Sequence, residues 1–181
     1  MLLLAFILFL LLNDIYGQRL TLLHTNDLHS KLTGYGPESD YSPLEINNDN
    51  TLGGFARMAT IINAQKQKAS EQTLVIDAGD FLMGSLFHVP EKETGFQLNL
   101  MQKMGFDYVT FGNHEFDFGP DVLGKIVEAT QKNGGHPKIV ASNLVFSKSS
   151  EDDQLQNLYD VGEILPFDVF EKNGLKIGIF G

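Results

Sequence analysis

Three short segments carry side chains of the kind that hold metals and move protons: Thr25-Asn26-Asp27-Leu28-His29, Asp77-Ala78-Gly79-Asp80 and Gly112-Asn113-His114-Glu115-Phe116-Asp117. Each follows a hydrophobic run, at residues 20–23, 74–76 and 108–111, so each opens a loop where a strand ends. In open α/β sheets, ligands bind in the crevice outside the carboxyl ends of the strands, where loops far apart in sequence can meet. Carboxylates, imidazoles and an amide oxygen together suit divalent cations such as Zn²⁺, Mn²⁺ or Mg²⁺. Asp27 and His29 stand two apart, which in extended backbone turns both side chains to one face. Asp80 has two carboxylate oxygens and can bridge two ions; Asn113 offers an oxygen without adding charge. Two divalent ions held by two aspartates keep a surplus of about +2, which attracts a phosphate dianion or a hydroxide even in an acidic protein. His114 follows Asn113, and Asp117 lies three residues on, within reach of the imidazole in a turn. A carboxylate so placed holds an imidazole protonated and aimed at developing negative charge, which suits transition-state stabilisation or leaving-group protonation.

The elements that must position these loops alternate along the chain. Gly53-Gly54 opens a helix that runs to Lys68, with Phe55, Met58, Ala59 and Ile62 at helical spacing. A second helix is predicted over residues 94–104, closed by Gly105. A third runs from Pro120, well placed at a first helical position, to about Asn133, and residues 138–141 form a fourth strand. This order predicts a mostly parallel sheet with helices on its faces. Residues 147–160 read as a polar exposed stretch, and residues 167–171 and 175–180 flank an Asn173-Gly174 hairpin turn. The chain stops one residue after that last apolar strand, so the domain is expected to be truncated there.

Composition bounds the possibilities. The 181 residues are 43% hydrophobic and 20% charged, enough for one domain with a core. A formal net charge of −10 disfavours nucleic-acid duplexes and anionic membrane surfaces as partners. With no cysteine there is neither a disulfide framework nor a thiolate metal site. Residues 1–12 are almost wholly apolar and are followed by Tyr16-Gly17, the pattern of a signal peptide spanning residues 1–17; no basic residue precedes the run. The run is shorter than the roughly 20 residues of a membrane span, so a secreted or periplasmic protein without a stable span is expected. The polar stretch at residues 33–52 reads as a loop. Its Asn47-Asn48-Asp49-Asn50 lacks the turn glycine and the later glutamate of a calcium loop. His24 alternates within the first strand and is expected in the core, whereas His88 and His136 fall in loops.

The first and third segments, Leu20-Thr21-Leu22-Leu23-His24-Thr25-Asn26-Asp27-Leu28-His29-Ser30 and Asp107-Tyr108-Val109-Thr110-Phe111-Gly112-Asn113-His114-Glu115-Phe116-Asp117, resemble two signatures of the 5′-nucleotidase and apyrase branch of the calcineurin-like metallophosphoesterases. Phe111 stands where that family usually has an aliphatic residue. The resemblance runs from about Leu20 to the end and implies an α/β fold of four layers, α/β/β/α. It implies Asp27, His29, Asp80 and Asn113 as ligands of two divalent ions, with Asp80 bridging, and His114 with Asp117 as the catalytic pair. It further implies hydrolysis of nucleotide phosphate esters by in-line attack of a metal-activated water. A cyclic-nucleotide or sugar-phosphate esterase, or a metal-binding fragment without turnover, are the alternatives. Histidines that complete the metal shells in the family, and its C-terminal nucleotide-specificity domain, do not occur in residues 18–181. This stretch alone is therefore expected to bind metal weakly and turn over little nucleotide.

Overall fold

The structure, a computed structural model, describes residues 17–34, 36 and 51–181. The signal peptide expected over residues 1–17, apart from Gly17, lies outside the described residues, as does Asn47-Asn48-Asp49-Asn50. Seven strands and five helices follow in chain order among those described: β1 (Thr21–Thr25), α1 (Phe55–Ala69), β2 (Thr73–Asp77), α2 (Glu91–Thr94), α3 (Phe96–Met104), β3 (Tyr108–Val109), α4 (Pro120–Lys132), β4 (Lys138–Val140), α5 (Asp153–Asp160), β5 (Ile164–Leu165), β6 (Phe167–Lys172) and β7 (Leu175–Phe180).

The first five strands make a parallel sheet in the order β1-β2-β3-β4-β5. Crossovers between parallel strands are right-handed, so a sheet that grows always toward the same side sends every crossover helix to one face. That is the arrangement seen: the helices cover one face of the sheet, as the α/β/β/α layering implied by the resemblance requires. On the helix side, Val75, Val109 and Ile139 pack with Phe55, Leu98, Met101, Leu123 and Val127 in one core. On the other side, Leu74, Tyr108 and Val140 meet Phe170 and Ile179 of the β6–β7 hairpin. The layers are thus helices, parallel sheet and antiparallel hairpin. The hairpin turn at Asn173 (φ 51°) and Gly174 (φ 72°) has both central residues left-handed, as a two-residue turn matched to strand twist requires. Asp168 fastens the hairpin to the sheet, accepting from Tyr108 Oη at 2.7 Å and Lys138 Nζ at 2.7 Å.

Three local expectations change. His24 is exposed, not in the core, because it shares with Leu22, 49% exposed, the hairpin-side face of β1, which no described residue covers. The helix expected over residues 94–104 is two helices, α2 and α3, broken at Gly95 (φ 57°). The stretch 147–160 is not wholly exposed, since α5 buries Leu155 and Leu158, and β5 follows it. Leu155, Leu158 and Tyr159 among eight residues were too few to stand out as a periodic pattern.

Behind the sheet's loops, the buried Glu91 accepts the backbone N–H of Gln97 at 3.0 Å through one oxygen, while its other oxygen has no partner among the described residues. Burial pushes its carboxyl up to about 7. A carboxyl raised above its unfolded value of 4.5 binds its proton more tightly when folded, so stability is full below about pH 4.5 and falls as pH rises toward 7. The neutral isostere Glu91→Gln removes this penalty, which amounts to at most about 3 kcal/mol. Urea unfolding at pH 5 and pH 8 should show a smaller loss of stability at the higher pH in E91Q than in the unaltered chain. An equal loss in both would locate the pH dependence elsewhere.

Candidate metal centre

The loops after β1 and β2 run side by side beyond the sheet. Asp27, His29 and Ser30 donate their backbone N–H groups to the carbonyls of Gly79, Asp80 and Phe81 at 3.0, 3.0 and 2.9 Å. This continuation is not extended. Asp27 (φ 55°), His29 (φ 48°), Ser30 (φ 52°) and Asp80 (φ 57°) all lie in the left-handed region, so the two-residue spacing of Asp27 and His29 does not place them together by strand alternation. Their side chains meet through the bend instead, with His29 Nε2 at 3.5 Å from Asp27 Oδ1. Left-handed backbone at a residue with a Cβ costs about 1–2 kcal/mol. With Met83 (φ 65°), five such residues fall in two adjoining loops, the kind of strain that persists where it aims side chains.

The loop after β3 joins them. Gly112 lies so close to the β2 loop that a Cβ there would stand 2.1 Å from Asp80 Oδ1 and 2.7 Å from Asp80 N. Only glycine admits this approach, and it brings the backbone N–H of His114 to 3.0 Å from Asp80 Oδ1. As a result His29, Asp80 and His114 each place one donor atom within 4.8 Å of the others. Among the described residues this is the one such gathering of three or more His, Asp or Glu side chains. The rings of His29 and His114 stand edge to face with centroids 5.0 Å apart. Asp27 adjoins through His29. Asn113 stands at the start of the short 3₁₀ turn His114–Phe116, exposed, without spending its side chain on a capping bond.

His114 Nδ1 lies 2.6 Å from Asp117 Oδ2. The hydrogen bond donated to Asp117 holds the imidazole above its ordinary pKa, opposed by desolvation and helped by the nearby charges of Asp117, Asp80 and Glu115. His88 and His136 take no part in the gathering: His88 stacks on Phe118, with centroids 6.1 Å apart, and the side chain of His136 is largely buried beside Glu163. Arg57 donates to Thr51 Oγ1 and Gly53 O, tying down the start of α1.

Two carboxylates of the site region carry no role in the sequence reading. Asp77 accepts from Thr25 Oγ1 at 2.5 Å and Gly79 N at 3.0 Å, joining the ends of β1 and β2, and burial pushes it up to about 6. Glu115, only 2% exposed, turns inward under the loops. An acid flanked by His114 and Phe116 carries no mark in the sequence that separates an inward-facing carboxylate from a ligand.

The family model described as calcineurin-like phosphoesterase matches residues 20–175. The 5′-nucleotidase of Bos taurus is 32% identical over 162 residues, which are 90% of this chain and 26% of the relative. The NAD 5′-nucleotidase of Haemophilus influenzae is 30% identical over 165 residues, 90% of this chain and 24% of its own length. The chain thus spans about a quarter of the length of the curated relatives it matches. Among solved structures, the NAD nucleotidase of H. influenzae superposes with a TM-score of 0.66 at 30% identity, covering 89% of this chain and 26% of that one. A 5′-nucleotidase precursor from Thermus thermophilus gives 0.64 at 26% identity, over 90% and 28%.

Proposed function

Since the chain belongs to the calcineurin-like phosphoesterase family, we propose that it supplies the first metal-holding and proton-handling loops of an exported enzyme that hydrolyses nucleotide phosphate esters. The observation that carries this reading is the convergence of His29, Asp80 and His114 within 4.8 Å at the mouths of three successive parallel strands. Imidazole nitrogens beside a carboxylate are a fitting donor set for Zn²⁺ or Mn²⁺. Asp27, His29, Asp80 and Asn113 would hold two such ions, with Asp80 shared between them. Bound divalent ions supply Lewis acidity toward phosphoryl oxygens and lower the pKa of water.

The chain's own residues account for the rest. Asp117 accepts the Nδ1–H of His114 in a 2.6 Å hydrogen bond, which fixes the ring and favours its charged form. Nε2–H is then the free donor, available to the departing ester oxygen or to charge gathering on phosphorus. A second reading has one specific support: His114 itself belongs to the gathered group, and metal-binding imidazoles commonly rest their other nitrogen on a carboxylate, as His114 does on Asp117. The nucleotide substrate class is supported by the relatives, which are named 5′-nucleotidases and NAD 5′-nucleotidase. Export is supported by the apolar residues 1–12, and no helix of the described residues is long and apolar enough to cross a membrane.

The test is phosphate release by the protein expressed from its whole reading frame, with AMP, p-nitrophenyl phosphate, cyclic AMP and glucose 6-phosphate as substrates. AMP should be the best of the four, in a reaction abolished by chelator and restored by Mn²⁺ or Zn²⁺. Chelator-resistant release, or turnover of cyclic AMP alone, would sink the reading.

A further inference from the structure

Glu115 joins two loops through its carboxylate. Oε2 accepts the backbone N–H of Asp80 at 2.9 Å and of Gly112 at 2.6 Å, and Oε1 accepts that of Leu82 at 2.9 Å. Two of these donors belong to the loop after β2 and one to the loop after β3. The join lies where the loops are nearest: a Cβ on Gly79 would stand 2.4 Å from Gly112 N. From the same two loops come Asp80 and the Asn113-His114 pair. The orientation of Asp80 relative to His114 is therefore set from below by Glu115 and from above by the bond from His114 N to Asp80 Oδ1.

We propose that Glu115 is a positioning residue for the metal centre: by accepting N–H groups from both loops, it fixes the separation between the Asp80 carboxylate and the Asn113-His114 pair. The inference rests on the metal-binding reading given above. A carboxylate is the side chain suited to this task. Three N–H groups point at it, and it is acceptor-only when ionised, with capacity on both oxygens. An amide in its place has one oxygen and would turn its NH₂ toward at least one of the three donors. Aspartate keeps the charge but shortens the reach by one methylene, so it can serve one loop and not both.

Partners that orient metal ligands are worth about 10–100-fold in metal affinity. Titration of the protein expressed from its whole reading frame with Mn²⁺ alone, followed by calorimetry, should give a Kd raised by about that factor in both Glu115→Gln and Glu115→Asp. Thermal unfolding separates this from general weakening. Ligand-linked stabilisation scales with affinity, so the Tm gain on adding Mn²⁺ should shrink in both variants. A residue that served only stability would lower Tm equally with and without Mn²⁺ and leave Kd unaltered. That result in either folded variant overturns the inference, as does failure of both variants to fold, which would make Glu115 a support of the whole domain. Absence of Mn²⁺ uptake by the unaltered protein from that whole reading frame would instead strike the functional reading, and this inference with it.

Discussion

In the active enzyme, His114→Ala is expected to lower kcat by about 10²–10⁴-fold while the metal content stays near that of the unaltered protein, the range for a positioned acid or charge-stabilising group. The geometry makes this a sharp test. His114 contributes two separate things to the site: its backbone N–H holds Asp80 Oδ1 at 3.0 Å, and its ring stands between Asp117 and His29. Alanine keeps the backbone donor, so Asp80 retains its anchor and only the imidazole is lost. Metal analysis by mass spectrometry beside the kinetics decides between the two roles of the ring. Loss of metal together with activity would place His114 among the ligands.

Asp80→Asn should disturb both ions, whereas His29→Ala should weaken chiefly one. The substitution at Asp80 is nearly isosteric, and the amide oxygen can still accept from His114 N. What disappears is the negative charge and one acceptor oxygen, which a bridging ligand shares between two cations. His29 has a single free direction and Asp27 beside it, 3.5 Å away, to retain part of the site. Counting bound metal per chain in the two variants tests the distinction; an equal loss of one ion in each would argue against a bridging Asp80.

The two kinds of information in this sequence were unevenly legible. The loops declared themselves because each follows an apolar strand and concentrates ligand-type residues within a few positions. The parallel order of β1 to β4 followed from the strand and helix alternation. The conformation that unites Asp27 with His29 was not readable, since a left-handed bend at non-glycine residues leaves no mark in composition. Glu115 and Asp77 were hidden for a different reason: an inward-turned carboxylate that serves backbone N–H groups is spelled the same as an outward one that meets solvent or metal. His24 misled because alternation tells which residues share a face but not whether that face is covered. The alternation alone does not say which face the helices take; their one-sided placement depends on strand order, and the family resemblance alone implied it.

The position of β1 has a consequence for how the protein opens. Among the described residues it pairs with β2 only, through the ladder from Thr21↔Thr73 to Thr25↔Asp77, and its Leu22 and His24 side chains are exposed. Edge elements with few buried contacts are the first to detach in partial unfolding, at a free energy below that of the whole domain. Peeling β1 away would carry off Asp27 and His29 and leave Asp80 and His114 in place on the inner strands. The candidate site would thus divide along the β1–β2 pairing, with His29 on one side and Asp80 and His114 on the other.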